Sequence, residues 1–208
     1  MKNQTKNIIL VVAVILVIVI AFAFGGKKQE AAKEYLKGTH YVEIVIRDYG
    51  TIKAELYADI APITVTNFIE LVNEGFYDGL TFHRIINGFM MQGGDPTQNK
   101  ESNHRIADTI KGEFSSNGVS NSLSHTRGTL SMARATYNNS ASSQFFIMHQ
   151  DNRRLDGDYA AFGRVTEGIE VVDQICENAI TEDEDGNVAY ENQPVIEKIT
   201  EYKIETSE

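Results

Sequence analysis

Residues 82–97, FHRIINGFMMQGGDPT, gather the side chains best suited to chemistry. One cation, Arg84, interrupts an apolar run. Phe89, Met90 and the amide of Gln92 follow an Asn87-Gly88 pair, and then come Gly93, Gly94 and an Asp95-Pro96 turn. Asn-Gly is a strong two-residue reversal signal because both residues tolerate positive φ. Alternate side chains of a strand share a face. Phe82, Arg84 and Ile86 are therefore expected on one face, and Met90 and Gln92 on a face of the returning strand. The result is a charged hydrogen-bond donor, the stronger kind, set on a β surface opposite an apolar pair and an amide.

The elements that must position this set read as follows. From Tyr41 the pattern has period two: Val42, Ile44 and Ile46, a turn at Asp48-Tyr49-Gly50, then Ile52, Ala54 and Leu56, a β-hairpin. Pro62 opens a helix, where its missing N–H costs nothing. Val65, Phe68, Ile69 and Val72 form its apolar stripe, and Gly75 its C-terminal cap. Residues 99–121 are polar and read as loops. Short strands are expected at 129–133 and 144–148, around an exposed Asn- and Ser-rich loop at 134–143. Asp156-Gly157 turns into a strand at 159–165, and Gly168 precedes a second helix from Ile169 to about Asn178 with Val171, Val172 and Ile175 inward. Residues 195–204 finish as a strand. Many strands with two separated helices and no strand–helix alternation point to a mainly β, closed antiparallel barrel.

Charge and hydropathy divide the chain. The whole carries −10 and the residues up to Lys33 carry +4, so the remainder carries −14. An acidic domain excludes nucleic acid as its ligand, since phosphate binding needs a basic face. Residues 1–7 are a short cationic N-terminus, and residues 8–24 are seventeen uncharged, almost wholly apolar residues. A spanning helix needs about 17–25 such residues and a signal-peptide core about 7–15. A retained membrane anchor is the preferred reading, although Ala21-Phe22-Ala23 supplies a small-x-small cleavage site. Residues 25–39 read as a tether, and residues 40–208 as the domain, placed outside the cytoplasm (secreted if the segment is cleaved). Cys176 is the lone cysteine and reads as a small core residue, which rules out an intramolecular disulfide and Cys-based zinc. His104 and His125 lack companion ligands at metal spacing and read as solvent-facing. His83 reads as a satisfied packing residue. Residues 182–187 lack the ligand ladder of a calcium loop and read as a hairpin turn. Asn138-Asn139-Ser140 reads as plain loop.

Three stretches, FHRIINGFMMQGGDPT with GTLSMA at 128–133 and SQFFI at 143–147, and LDGDYAAFGRV at 155–165, together resemble the cyclophilin family of peptidyl-prolyl cis-trans isomerases. The resemblance spans about residues 41–204. It implies an eight-stranded antiparallel barrel capped by two helices, acting without cofactor or metal, as a monomer, on proline-containing polypeptides. It also implies roles. Arg84 is the catalytic guanidinium, and Phe89, Met90, Phe146 and Leu155 form the proline slot. Gln92 orients Arg84 and the substrate carbonyl. Ala133 and the backbone of Arg134 hold the residues before proline, Gln144 lines the groove, and Tyr159 stands where many members carry His. Taken singly, the apolar four read as core packing and Arg84 as a surface ion pair; the joint motif reverses this. Three departures matter. Arg154 occupies the place of the Trp of cyclosporin-sensitive members, implying weak cyclosporin binding. Asn87 replaces a usual Pro, and the 134–143 loop is slightly longer. A non-catalytic proline-peptide chaperone, or a membrane-tethered scaffold, on the same fold is the rival reading; the complete Arg84–Phe89–Gln92 set favours the enzyme.

Overall fold

The computed structural model describes residues 33–98 and 104–204. The chain divides into two units, Met1–Glu34 and Tyr35–Glu208, and the elements below belong to the second. The expected anchor at 8–24 lies outside the described residues, among which no helix is long and apolar enough to cross a membrane.

Eight strands make one antiparallel sheet: β1 (Thr39–Ile46), β2 (Gly50–Tyr57), β3 (Phe82–Ile86), β4 (Met90–Gly93), β5 (Thr129–Met132), β6 (Phe145–Met148), β7 (Ala161–Glu167) and β8 (Ile196–Tyr202). Their spatial order is β3-β4-β6-β5-β7-β2-β1-β8. The outer strands β3 and β8 meet through a single antiparallel bridge, Thr81 with Val195. Backbone bonds flank it, from Phe82 N to the Pro194 oxygen at 2.9 Å and from Ile196 N to the Leu80 oxygen at 2.7 Å. The sheet is thus eight-stranded and antiparallel as expected, with its seam stitched at one point and not laddered along its length.

Two helices complete the fold, α1 (Pro62–Asn73) and α2 (Ile169–Asn178). The stripe Val65, Phe68, Ile69 and Val72 is buried, and Gly75 after α1 takes φ +68. The Phe68 ring packs with its centroid 5.0–5.3 Å from those of Tyr77, Phe145 and Phe162, edge-on to Phe145 and tilted to the other two, joining α1 to β6 and β7. From α2, Val171, Val172, Ile175 and Cys176 are buried. Burial pushes the Cys176 thiol up to about 12. A thiol that stays protonated is unreactive, so Cys176 is expected to resist an aromatic disulfide reagent at pH 8 until denaturant is added. Rapid labelling of the native chain would show the helix to be loosely packed.

Strand boundaries shift modestly from the sequence reading. The penultimate strand starts at Ala161, not Tyr159, because Tyr159 turns away to line a pocket. A larger correction falls on β3. Phe82 pairs with Gly93 and Arg84 with Gln92, so His83 is an extra residue, a β-bulge. The bulge separates faces that strict alternation would unite. Phe82 and Ile85 enter the main core, whereas Ile86 packs with the outer cluster of Met90, Phe146 and Met148. The reversal at 87–88 is also simpler than expected: Gly88 takes φ +78, while Asp48 is the sole non-glycine with positive φ among the described residues, so Asn87 keeps an ordinary backbone.

Candidate active site

Alternation on β4 and β6 builds the site. Met91, Phe145 and Ile147 point into the main core, so Met90, Phe146 and Met148 stand on the opposite face. Register aligns them: Gln92 pairs with Phe146 and Met90 with Met148. Phe89, Ala133, Leu155 and Tyr159 pack around this apolar floor. Above it opens a pocket of about 260 Å³ lined by Arg84, Phe89, Met90, Gln92, Ala133, Arg134, Phe146, Leu155 and Tyr159. Nine of the ten residues singled out from the sequence thus converge. The tenth, Gln144, adjoins them: its side-chain oxygen accepts from Gln92 Nε2 at 2.9 Å.

The polar groups are held in place. Gln144 Nε2 donates to Asp95 Oδ2 at 2.9 Å, and Asp95 Oδ1 accepts from the Thr97 N–H and hydroxyl. Gln92 is therefore fixed by a relay ending on a buried carboxylate, with one of its two amide N–H groups given to Gln144. The partner of Arg84 is different from the one the family resemblance implies: Nε donates to the backbone carbonyl of Asp185 at 2.8 Å. Its two Nη groups have no hydrogen bond or ion pair among the described residues. On the far side, Arg134 donates from Nε to the Asp158 carbonyl at 2.8 Å and from Nη1 to those of Ala135 and Thr136. Its guanidinium lies 4.9 Å from the Tyr159 ring centroid, a cation–π contact. Of the two cations bordering the pocket, Arg134 is consumed in structure and Arg84 keeps donors to spare.

Supporting groups below the floor escaped the sequence reading. His125, expected at the surface, is fully buried. Its Nδ1 donates to Asp156 Oδ1 at 2.8 Å and its Nε2 accepts from the Ser131 hydroxyl at 2.9 Å, the arrangement of a neutral ring. The imidazole lies nearly parallel to Phe146, at 6.0 Å and 19°, and so backs the floor. Asp156, inside the quoted LDG motif, was the available signal. His149 Nδ1 accepts from the Gly88 N–H at 3.0 Å, and Asp173 faces His149 Nε2 at 3.2 Å while paired with Arg127, which anchors the turn carrying Phe89. His83 is not the satisfied packing residue expected: its Nδ1 is buried with no hydrogen-bond partner among the described residues.

Burial holds both His125 and His83 below the ordinary histidine value, outweighing the opposite pull of Asp156 on His125 and of Asp95 on His83. The unfolded chain, with histidines near 6.5, binds protons that the folded chain refuses. Stability present above about pH 6.5 is then lost as pH falls toward the folded values. Urea midpoints measured between pH 7.5 and 5 are expected to decline on acidification, and a flat or rising profile would contradict these assignments.

Fold and pocket together define a β protein with an apolar slot beside a tethered guanidinium. The lining holds no nucleophile–base pair. Residues 41–201 match the family described as cyclophilin type peptidyl-prolyl cis-trans isomerase/CLD. The chain is 46% identical over 132 residues to a peptidyl-prolyl cis-trans isomerase of Acinetobacter baylyi, covering 61% of this chain and 67% of that one. It is 45% identical over 126 residues to peptidyl-prolyl cis-trans isomerase B of Bacillus subtilis, covering 61% and 83%. Among solved structures, a Cryptosporidium parvum cyclophilin type isomerase crystallised in the presence of the dipeptide Ala-Pro superposes with a TM-score of 0.66 at 30% identity, over 79% of this chain and 99% of that one. The chain belongs to the cyclophilin-type peptidyl-prolyl cis-trans isomerase family, and that is its enzyme class.

Proposed function

We propose that this chain accelerates cis–trans exchange at Xaa-Pro bonds of translocated or surface polypeptides, assisting their folding, and that Arg84 is the catalytic group. Amide resonance sets a rotational barrier of about 18–20 kcal/mol. Prolyl bonds populate both isomers but exchange over tens to hundreds of seconds. Rotation needs neither nucleophile nor general base. It needs the proline ring held, the acyl side free to turn, and a donor that favours the twisted nitrogen, whose lone pair is then localised. Met90 and Phe146 make the floor that takes the ring, with Phe89 and Leu155 beside it. Ala133 and the backbone of Arg134 hold the preceding residues, Tyr159 walls the same groove, and Gln92 with Gln144 engages the substrate carbonyl. A charged donor already oriented in an apolar site acts with little reorganisation.

The observation that carries this reading is the pairing of a tethered Arg84, with its Nη groups unspent, and an apolar floor in one pocket. It is tested by exchange NMR on an Ala-Pro peptide. Exchange enhanced at substoichiometric protein supports the enzyme. Peptide shifts without faster exchange would support the rival, a proline-peptide-binding chaperone.

The placement proposed is a single-pass membrane protein, on the strength of the apolar length of residues 8–24, with the long acidic domain that follows it outside the cytoplasm and monomeric. Protease added to intact cells should remove the domain, and carbonate should fail to strip it from membranes. Cyclosporin is proposed to bind weakly, because the exposed Arg154 adjoins Leu155 at the slot.

A further inference from the structure

The carbonyl that holds Arg84 belongs to a small built turn, residues 181–188, TEDEDGNV. Thr181 and Val188 bridge, and Glu182 N donates to the Asn187 oxygen at 2.7 Å. One side chain ties the turn internally. Asp183 Oδ1 accepts from the Asn187 N–H at 3.1 Å, and Asp183 Oδ2 accepts from Asn187 Nδ2 at 2.7 Å. These bonds hold the Asp183 carboxyl below its ordinary range, so it is the charged acceptor at neutral pH.

The turn docks on β3, an outer strand of the sheet with backbone groups to offer. Ile85 N donates to the Gly186 oxygen at 2.8 Å, and Val188 N donates to the His83 oxygen at 3.0 Å. Arg84 itself pairs with Asn187. The approach is close enough to require glycine: Gly186 has φ +81, and a Cβ there would stand 2.5 Å from the Ile85 carbonyl oxygen. The turn therefore covers the strand at its bulge and delivers the Asp185 carbonyl to Arg84 Nε.

The kind of acceptor matters. An arginine side chain loses substantial rotamer entropy when fixed, and a guanidinium left free would sample many orientations around the slot. A carboxylate could fix it but would also neutralise it. Asp185 offers its peptide oxygen, which orients the group by one bond and leaves its charge for the reacting nitrogen.

We propose that the Asp183–Asn187 turn is the positioning device for the catalytic guanidinium, with Asp183 and Gly186 acting on the reaction through Arg84. The inference rests on the isomerase reading of the same pocket.

The test uses the full chain with Asp183→Ala, Asp183→Asn and Gly186→Ala, each in the wild-type and the Arg84→Ala backgrounds. Two quantities are read: the Ala-Pro exchange rate, and the water-exchange rate of the Arg84 Nε–H followed by 15N–1H NMR. Asp183→Ala is expected to lower kcat about tenfold with little change in KM, and to speed Nε–H exchange by a similar factor. Asp183→Asn keeps an acceptor for the Asn187 N–H and should recover most of both. In the Arg84→Ala background the three substitutions should cost nothing further. Equal losses in both backgrounds would overturn the proposal by showing a general effect on the fold. Unchanged Nε–H protection in Asp183→Ala and Gly186→Ala would overturn it as well. If the wild type fails to speed exchange, the isomerase reading falls, while Nε–H protection still decides whether the turn holds Arg84.

Discussion

Arg84→Ala is expected to slow the catalysed Ala-Pro exchange by about 10²–10³-fold, the usual cost of deleting one oriented donor from a preorganised site. The size follows from what remains. The floor of Met90 and Phe146, the Gln92–Gln144–Asp95 relay and the Arg134 clamp do not depend on Arg84. The variant should still bind proline and lose only the charged donor. Arg84 is half-buried and its one bond goes to a carbonyl, so no buried charge is orphaned and stability should change by less than about 1 kcal/mol. Arg84→Lys should recover little, since an ammonium lacks the Nε–H that the Asp185 carbonyl holds and the fixed fork beyond it. A protease-coupled assay, with circular dichroism to check the fold, reads both expectations.

The second large effect is on stability. Helix α1 opens on Ala61 and Pro62, and Ala61 has no side chain with which to cap it. The acceptor comes from fifty residues further along the chain. Glu113, buried, accepts from the Ile63 N–H at 3.1 Å, the Thr64 N–H at 2.8 Å and the Thr64 hydroxyl at 2.7 Å. Its charge also sits at the positive end of the helix. Glu113→Ala strands buried donors and removes the cap, so a loss of about 3 kcal/mol is expected, a fall in Tm on the order of 10 °C. Glu113→Gln, which keeps one acceptor oxygen, should lose clearly less. Urea denaturation checks both, and an unchanged midpoint for Glu113→Ala would mean that the carboxylate does not cap α1.

What could be read from the sequence was local. Period-two hydrophobicity in residues 42–56 marks β1 and β2, and Pro62 and Gly168 mark where α1 and α2 begin. The pocket residues were legible only through the resemblance carried by the joint motifs: singly, Phe89, Met90, Phe146 and Leu155 read as core packing and Arg84 as a surface ion pair, and their convergence on one pocket comes from the fold. The rest depends on contacts remote in sequence. Strict alternation put Phe82 with Arg84, and the bulge at His83 undid that. His125 is polar and follows a loop, which says surface; Asp156 and Ser131 satisfy it in the interior. The holder of Arg84 is a backbone oxygen, which has no sequence signature. Residues 182–187 read as a hairpin turn, and Thr181 and Val188 do bridge across it; its docking on β3 leaves no mark in the acidic run itself.

The most direct measurement is one NMR titration of an Ala-Pro peptide, yielding its dissociation constant and its exchange rate on the protein, for the wild type and Arg84→Ala. The account predicts dissociation constants within a few-fold of each other and an on-protein exchange rate that falls about a hundredfold or more in the variant. Weakened binding with an undiminished on-protein rate would contradict it, making Arg84 a binding residue and leaving the rotation to the slot itself.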